Sequence, residues 1–168
     1  QPIDNLRHVA AISPVLNPAS STARVDQIPF IRNYFLKKWL QSLRKKQRLF
    51  PDRYDFTPVQ TLRSVLAVTE YLLKRFSDFQ SAREYFSEYT LLNDALREIP
   101  VETTIITADD DPIIPVEDFH QLELNELTRL SIHAFGGHNG FIDGIFLKSW
   151  YEDVLAAVFD EIIRSWRA

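Results

Sequence analysis

The chain contains no cysteine and no methionine, and its four glycines all fall between Gly136 and Gly144. The missing cysteine excludes disulfides, thiolate nucleophiles and cysteine-bound zinc, without fixing the redox compartment. The missing glycine elsewhere excludes the sharp strand-to-helix elbow, Gly-x-Ser-x-Gly, that presents a nucleophilic serine, because only glycine lets that turn close. No apolar run approaches the roughly 18 residues of a membrane-spanning helix. The N-terminus, Gln1-Pro2-Ile3-Asp4-Asn5, does not read as a secretory leader, so a cytoplasmic location is expected. A chain that starts at Gln1 and has no methionine is expected to be cut from something longer.

Charge of one sign is also missing locally. Between Gln27 and Pro51 there are seven basic residues and no acid, whereas Glu84 to Glu126 holds twelve acids against a single Arg97. The balance over 168 residues is a net charge of -4, which argues against a dedicated nucleic-acid binder. Length and apolar content suffice for a soluble chain with a buried core.

The apolar pattern places the elements. His8 to Ser13 is a short apolar run stopped by Pro14, suited to a strand buried on both faces of a parallel sheet, with Asn17-Pro18 as a turn behind it. From Ile28 to about Phe50, Ile31, Phe35, Trp39 and Leu43 recur every four residues and predict an amphipathic helix with a basic outer face. Thr57-Pro58 predicts the cap and first turn of a second helix, Val59 to Phe76, and the helical pattern continues over Ser81 to Leu92. Val101 to Ala108 is β-branched and predicts a strand, followed by a turn over Asp109 to Pro115 and a short helix over Val116 to Leu122. Leu127 to Ala134 predicts another strand. Phe146 to Trp166 predicts a closing helix with Trp150, Val154, Ala157, Val158 and Ile162 on one face. Strands alternating with helices imply right-handed crossovers and a parallel sheet, with any ligand site beyond the carboxyl ends of the strands.

Two motifs sit at those ends: the acidic turn Asp109-Asp110-Asp111-Pro112 and the glycine-framed histidine of Phe135-Gly136-Gly137-His138-Asn139-Gly140-Phe141. A histidine that takes a proton from a hydroxyl needs a carboxylate behind it, to hold the right tautomer and stabilise the imidazolium. Asp111 suits that role because the following proline keeps it extended; Asp110 is the reserve. Ser13, at a strand end, is the best internal serine, but Pro14 follows it instead of a tight turn into a helix. Ser20 and Ser21 read as loop or helix-cap residues. A metal site from Asp109, Asp111, His133 and His138 has plausible ligand types but no helical His-x-x-x-His spacing. His8, His120 and His133 read most simply as hydrogen-bonded strand or helix residues.

Three stretches together resemble the C-terminal part of an alpha/beta-hydrolase, and most closely its YheT-like branch. They are Phe79-Gln80-Ser81-Ala82-Arg83-Glu84-Tyr85-Phe86, the strand running into Asp110-Asp111-Pro112, and Gly136-Gly137-His138-Asn139-Gly140-Phe141. The resemblance implies an α/β fold of three mostly parallel strands with flanking helices and an inserted helical cap. It divides the chain into a strand and cap entry (1–22), the cap (23–92) and the C-terminal strands and helices (93–168). It implies that Asp111 is the triad acid and His138 the triad base, with the serine and the oxyanion-hole amides upstream of Gln1. The implied function is a serine hydrolase of carboxylic esters that uses no cofactor, its substrate a small apolar ester or lipid. This chain alone would be inactive.

The expected partners are the missing N-terminal half, or a second copy, covering an exposed sheet edge at His8 to Ser13. The basic helix offers either a solvated face or a contact with an anionic membrane surface. The aromatic residues Tyr34, Phe35, Trp39, Phe76, Phe79, Tyr85, Phe86 and Tyr89 suit either a core or an acyl group. The competing reading is a non-catalytic helical binding module whose sheet remnant only supports the helices.

Overall fold

A computed structural model describes residues 5–143 and 148–167. The chain divides into two compact units, one built from Gln1–Asn17 with Leu91–Ala168 and the other from Pro18–Thr90.

The first unit holds a three-stranded sheet. β1 (His8–Ile12), β2 (Glu102–Ala108) and β3 (Thr128–His133) lie in that order and pair in parallel. β2 is central, and its side chains alternate between two apolar layers. Ile105 enters a cluster with Leu16, Leu96, Ile114 and Phe119. Ile106 and Ala108 enter another with Phe141, joined by Ile12, Trp150, Tyr151 and Val154. This two-sided burial explains the uninterrupted β-branched run of that strand. The closing helix (Trp150–Arg167) begins later than expected: the start at Phe146 lies outside the described residues, and Lys148–Ser149, expected within it, form a short strand. Its inward side is centred on Trp150, Tyr151 and Val154, which leaves Ala157 exposed instead of inward.

The second unit is helical, and the chain leaves and re-enters the first unit at one place, where Leu91 N–H donates to Leu16 O at 2.7 Å. α1 (Pro18–Gln27) occupies a stretch expected to open in a turn, with Pro18 as its first residue and Ser20 and Ser21 inside it. Its only buried side chains are Ser21 and Val25, so apolar periodicity could not reveal it. α2 (Pro29–Leu49) buries Leu36 and Leu43 against Phe56, Val59 and Val68.

The expected helix from Val59 to Phe76 is broken. Pro58–Thr61 forms a single 3-10 turn, Thr57 provides no side-chain cap, and the true helix is α3 (Val65–Phe76). Three acceptors set that start: Ser64 Oγ takes Ala67 N–H at 3.0 Å, while the two carboxylate oxygens of Asp26 take Val65 N–H at 2.7 Å and Leu66 N–H at 3.0 Å. Together they satisfy the amides that a helix start leaves unpaired. α4 (Ala82–Glu88) is shorter than the helical pattern suggested; it is capped by Ser81, and its first amide donates to Glu70 at 2.8 Å.

Asp26→Ala strips two amides of α3 of their acceptors and is expected to lower stability by about 1–2 kcal/mol. The check is a urea midpoint shifted down at constant m-value; a midpoint equal to that of the parent would show that α3 starts there without Asp26.

Candidate functional site

The carboxyl ends of β2 and β3 position the acidic turn and the histidine loop side by side. Directly after β2, Asp109 N–H continues the ladder by donating to His133 O at 2.8 Å. The chain then turns, and the next two carboxylates diverge in their partners. Asp110 Oδ1 accepts from Gly136 N–H at 2.9 Å and Gly137 N–H at 2.7 Å. Asp111 Oδ2 lies 3.0 Å from His138 Nδ1, and its Oδ1 accepts from Ile113 N–H at 2.8 Å and Ile114 N–H at 3.0 Å.

The Asp111 side chain is fully buried, at 0% exposure, and that of His138 is 31% exposed. A buried carboxylate is tolerated only where donors surround it, and here three do. Because an ionised carboxylate can only accept, the proton of neutral His138 must sit on Nδ1. That leaves the Nε2 lone pair available, with Asn139 Nδ2 at a long 3.4 Å beside it. The arrangement can therefore take up a proton at Nε2 and hold the resulting imidazolium against a fixed negative charge.

The loop geometry explains the clustered glycines. Gly136 O accepts from both Gly140 N–H at 3.2 Å and Phe141 N–H at 2.8 Å, closing the loop on itself. A Cβ on Gly136 would meet the Phe141 ring at 2.5 Å and the Ala108 Cβ at 2.9 Å. Gly137 adopts φ of 56°, and Asn139 follows with φ of 61°, a conformation asparagine tolerates better than most residues. Beyond the loop, two-residue strands β4 (Ile142–Asp143) and β5 (Lys148–Ser149) pair antiparallel; neither was expected, and Gly144 between them lies outside the described residues.

Other candidates fall elsewhere. His133 Nε2 pairs with Ser131 Oγ at 2.8 Å and its ring sits 4.4 Å from that of Trp150, so it does not join Asp109, Asp111 and His138. Among the described residues no group of three or more metal-ligating side chains converges, and the four-ligand alternative does not assemble. His8 Nε2 meets Thr104 Oγ1 at 3.0 Å near the opposite, amino-terminal end of the strands, and His120 is exposed. Ser13 is buried beyond β1 with φ of 44°, a strained conformation for the residue before a proline. Its Oγ makes no hydrogen bond among the described residues, and His138 meets only Asp111 and Asn139. The role of Asp110 as a clamp on the Gly136 and Gly137 amides was missed from the sequence, where it stood only as a reserve acid.

Gly136→Ala is expected to lower stability by about 1–3 kcal/mol, since the new methyl group meets Phe141 and Ala108 in a filled core. A melting temperature within error of the parent would mean that the Phe141 ring can shift aside.

Comparison with curated proteins finds 28% identity over 120 residues to mouse (Mus musculus) Phospholipase ABHD3, covering 68% of this chain and 28% of that protein. The chain thus spans little more than a quarter of the length of the relative it matches. No family model and no solved structure matches. A mixed α/β chain with three parallel strands and flanking helices, similar in sequence to an alpha/beta-hydrolase, is consistent with part of that fold and with a hydrolase.

Proposed function

We propose that the complete protein is a serine hydrolase that cleaves carboxylic esters, and that it belongs to the YheT-like branch of the alpha/beta-hydrolases. The observation that carries this reading is the 3.0 Å contact between His138 Nδ1 and a fully buried Asp111 carboxylate at the carboxyl edge of a parallel sheet. A residue upstream of this chain would supply the serine. Its Oγ attacks the acyl carbon while His138 Nε2 takes the hydroxyl proton. His138 then passes that proton to the departing alkoxide oxygen, releasing the alcohol. Water cleaves the acyl-serine by the same relay run in reverse. Asp111 holds the tautomer and faces the imidazolium throughout. The segment bearing the serine would also cover the free edge of β1, which pairs only with β2 among the described residues.

The helical unit, inserted in the chain between Leu16 and Leu91, would correspond to the inserted cap. A lipid-like ester is the proposed substrate class, supported by the name of the phospholipase relative and by the aromatic supply of the helices. Phe86 is buried, whereas Phe35, Phe76 and Tyr89 keep exposed ring surface that a core would not leave open. A non-catalytic binding module would not need a buried carboxylate aimed at a half-exposed imidazole, and burying one without a role is unfavourable.

In the complete protein, His138→Ala is expected to reduce turnover of short p-nitrophenyl esters by roughly four orders of magnitude. Asp111→Asn should do nearly as much by favouring the wrong tautomer. Unchanged turnover in the His138 variant would remove the mechanism.

A further inference from the structure

The outer face of α2 has a charge pattern that an ordinary solvated helix lacks. Solvated faces intersperse both signs and gain from pairs three or four residues apart. From Pro29 to Phe50 there is no acid to pair with, and no ion pair among the described residues uses a cation of this helix. Lys38 and Lys45 stand opposite the buried Leu36 and Leu43, with Lys37, Arg44 and Arg48 exposed to one side of them. Only weak or neutral contacts hold these cations: Arg44 Nε donates to Gln60 Oε1 at 3.1 Å, and Lys38 Nζ stands 5.7 Å from the Tyr34 ring centre.

Apolar side chains bracket this basic stretch at both ends. Phe30 is 84% exposed and Tyr34 55% at the start, and Leu49 is 63% exposed at the end, whereas Phe50 follows the buried Leu36 and Leu43 in helical phase and packs its ring on Tyr54. A helix of 21 residues is about 31 Å long, so one element presents cations along its middle and apolar anchors at its tips. No helix among the described residues is long and apolar enough to cross a membrane, so any lipid contact by these helices would be at a surface.

We propose that this face docks the protein onto an anionic lipid bilayer, with α2 lying along the surface. Lipid phosphates and carboxylates would take the five cations, and Phe30, Tyr34 and Leu49 would enter the headgroup boundary. The charge complementarity would suit a nucleic acid as well, but the anchors decide against it. Leucine and phenylalanine side chains at the two ends gain most from an apolar boundary, which a nucleic-acid backbone does not offer. The inference does not rest on the hydrolase reading, since it uses no residue of the His138 site.

The test is flotation of the chain, and of the complete protein, with vesicles of phosphatidylcholine alone or containing one-third phosphatidylserine. Binding is expected only to the mixed vesicles. It should weaken as ionic strength rises from about 0.1 M to 1 M, where the Debye length falls from roughly 10 Å to 3 Å. Lys37→Gln with Lys45→Gln should lower the partition coefficient roughly thirtyfold, at about fivefold per surface cation. Phe30→Ser should weaken the binding that survives high salt. Circular dichroism identical to the parent is expected for these exposed positions, as is unchanged turnover of soluble esters by the complete protein. Equal binding to neutral vesicles, no effect of the double substitution, or tighter binding of a single-stranded oligonucleotide than of vesicles would overturn the proposal.

Discussion

Burial of the Phe141 ring against Ile106 and Ala108 governs where His138 can stand. The ring occupies the space a side chain on Gly136 would need, and Phe141 itself adopts φ of 44°, an unfavourable conformation for an aromatic residue. Apolar burial of a phenylalanine contributes on the order of 2–3 kcal/mol, enough to hold one residue in that region. With Phe141 seated, the bonds from its own amide and that of Gly140 to Gly136 O close the loop, and Asp110 fixes the first two glycine amides from outside. The imidazole is therefore positioned by packing and main-chain bonds before Asp111 acts on it. Asp111 then selects its tautomer.

The two units have separate duties. The hydrogen-bond partners of Asp111 and His138 among the described residues belong to the sheet unit, while the helical unit has its own cores around Val59 and Val68 and around Leu73 and Phe86. Its helix starts are secured by carboxylates from neighbouring helices: Asp26 of α1 for α3, and Glu70 of α3 for α4. Such caps tie helices together where apolar contact is sparse, as along α1.

How much was legible in the sequence depended on which force shaped each part. β2 could be read directly, because β-branched residues buried on both faces leave an unbroken signature, while β3, with Arg129 and Ile132 exposed, carries a weaker one. α2 could be read as a helix because apolar residues recur at its period, but of the stripe Ile31, Phe35, Trp39 and Leu43 only Leu43 is buried, Phe35 is exposed, and the other buried residue is Leu36. α1 could not, since its buried side is serine and valine and its signal was a proline at the first helical position, which reads equally as a turn. The break before α3 was hidden for another reason: Asp26, far away in sequence, provides half of its cap. At the site, residue types and order pointed to Asp111 and His138, and the structure brings those two side chains together. The clamp by Asp110 was not legible, because adjacent carboxylates on a turn look alike until the backbone sends them to different partners.

The junction at Leu16 and Leu91 has a consequence for how the chain assembles. β1 must find β2 across the whole helical insertion, His8 pairing with Glu102, and closing so long a loop is slow and entropically costly. Helices rich in local contacts form sooner, and once Pro18–Thr90 has condensed, the separation to be searched is that of a compact body instead of an open chain. The expected order is helices first, then the β1–β2 ladder, and last the loop that needs β2 in place before Phe141 can be buried. Formation of the His138 site would then be the final event of folding, reached only after the insertion has closed.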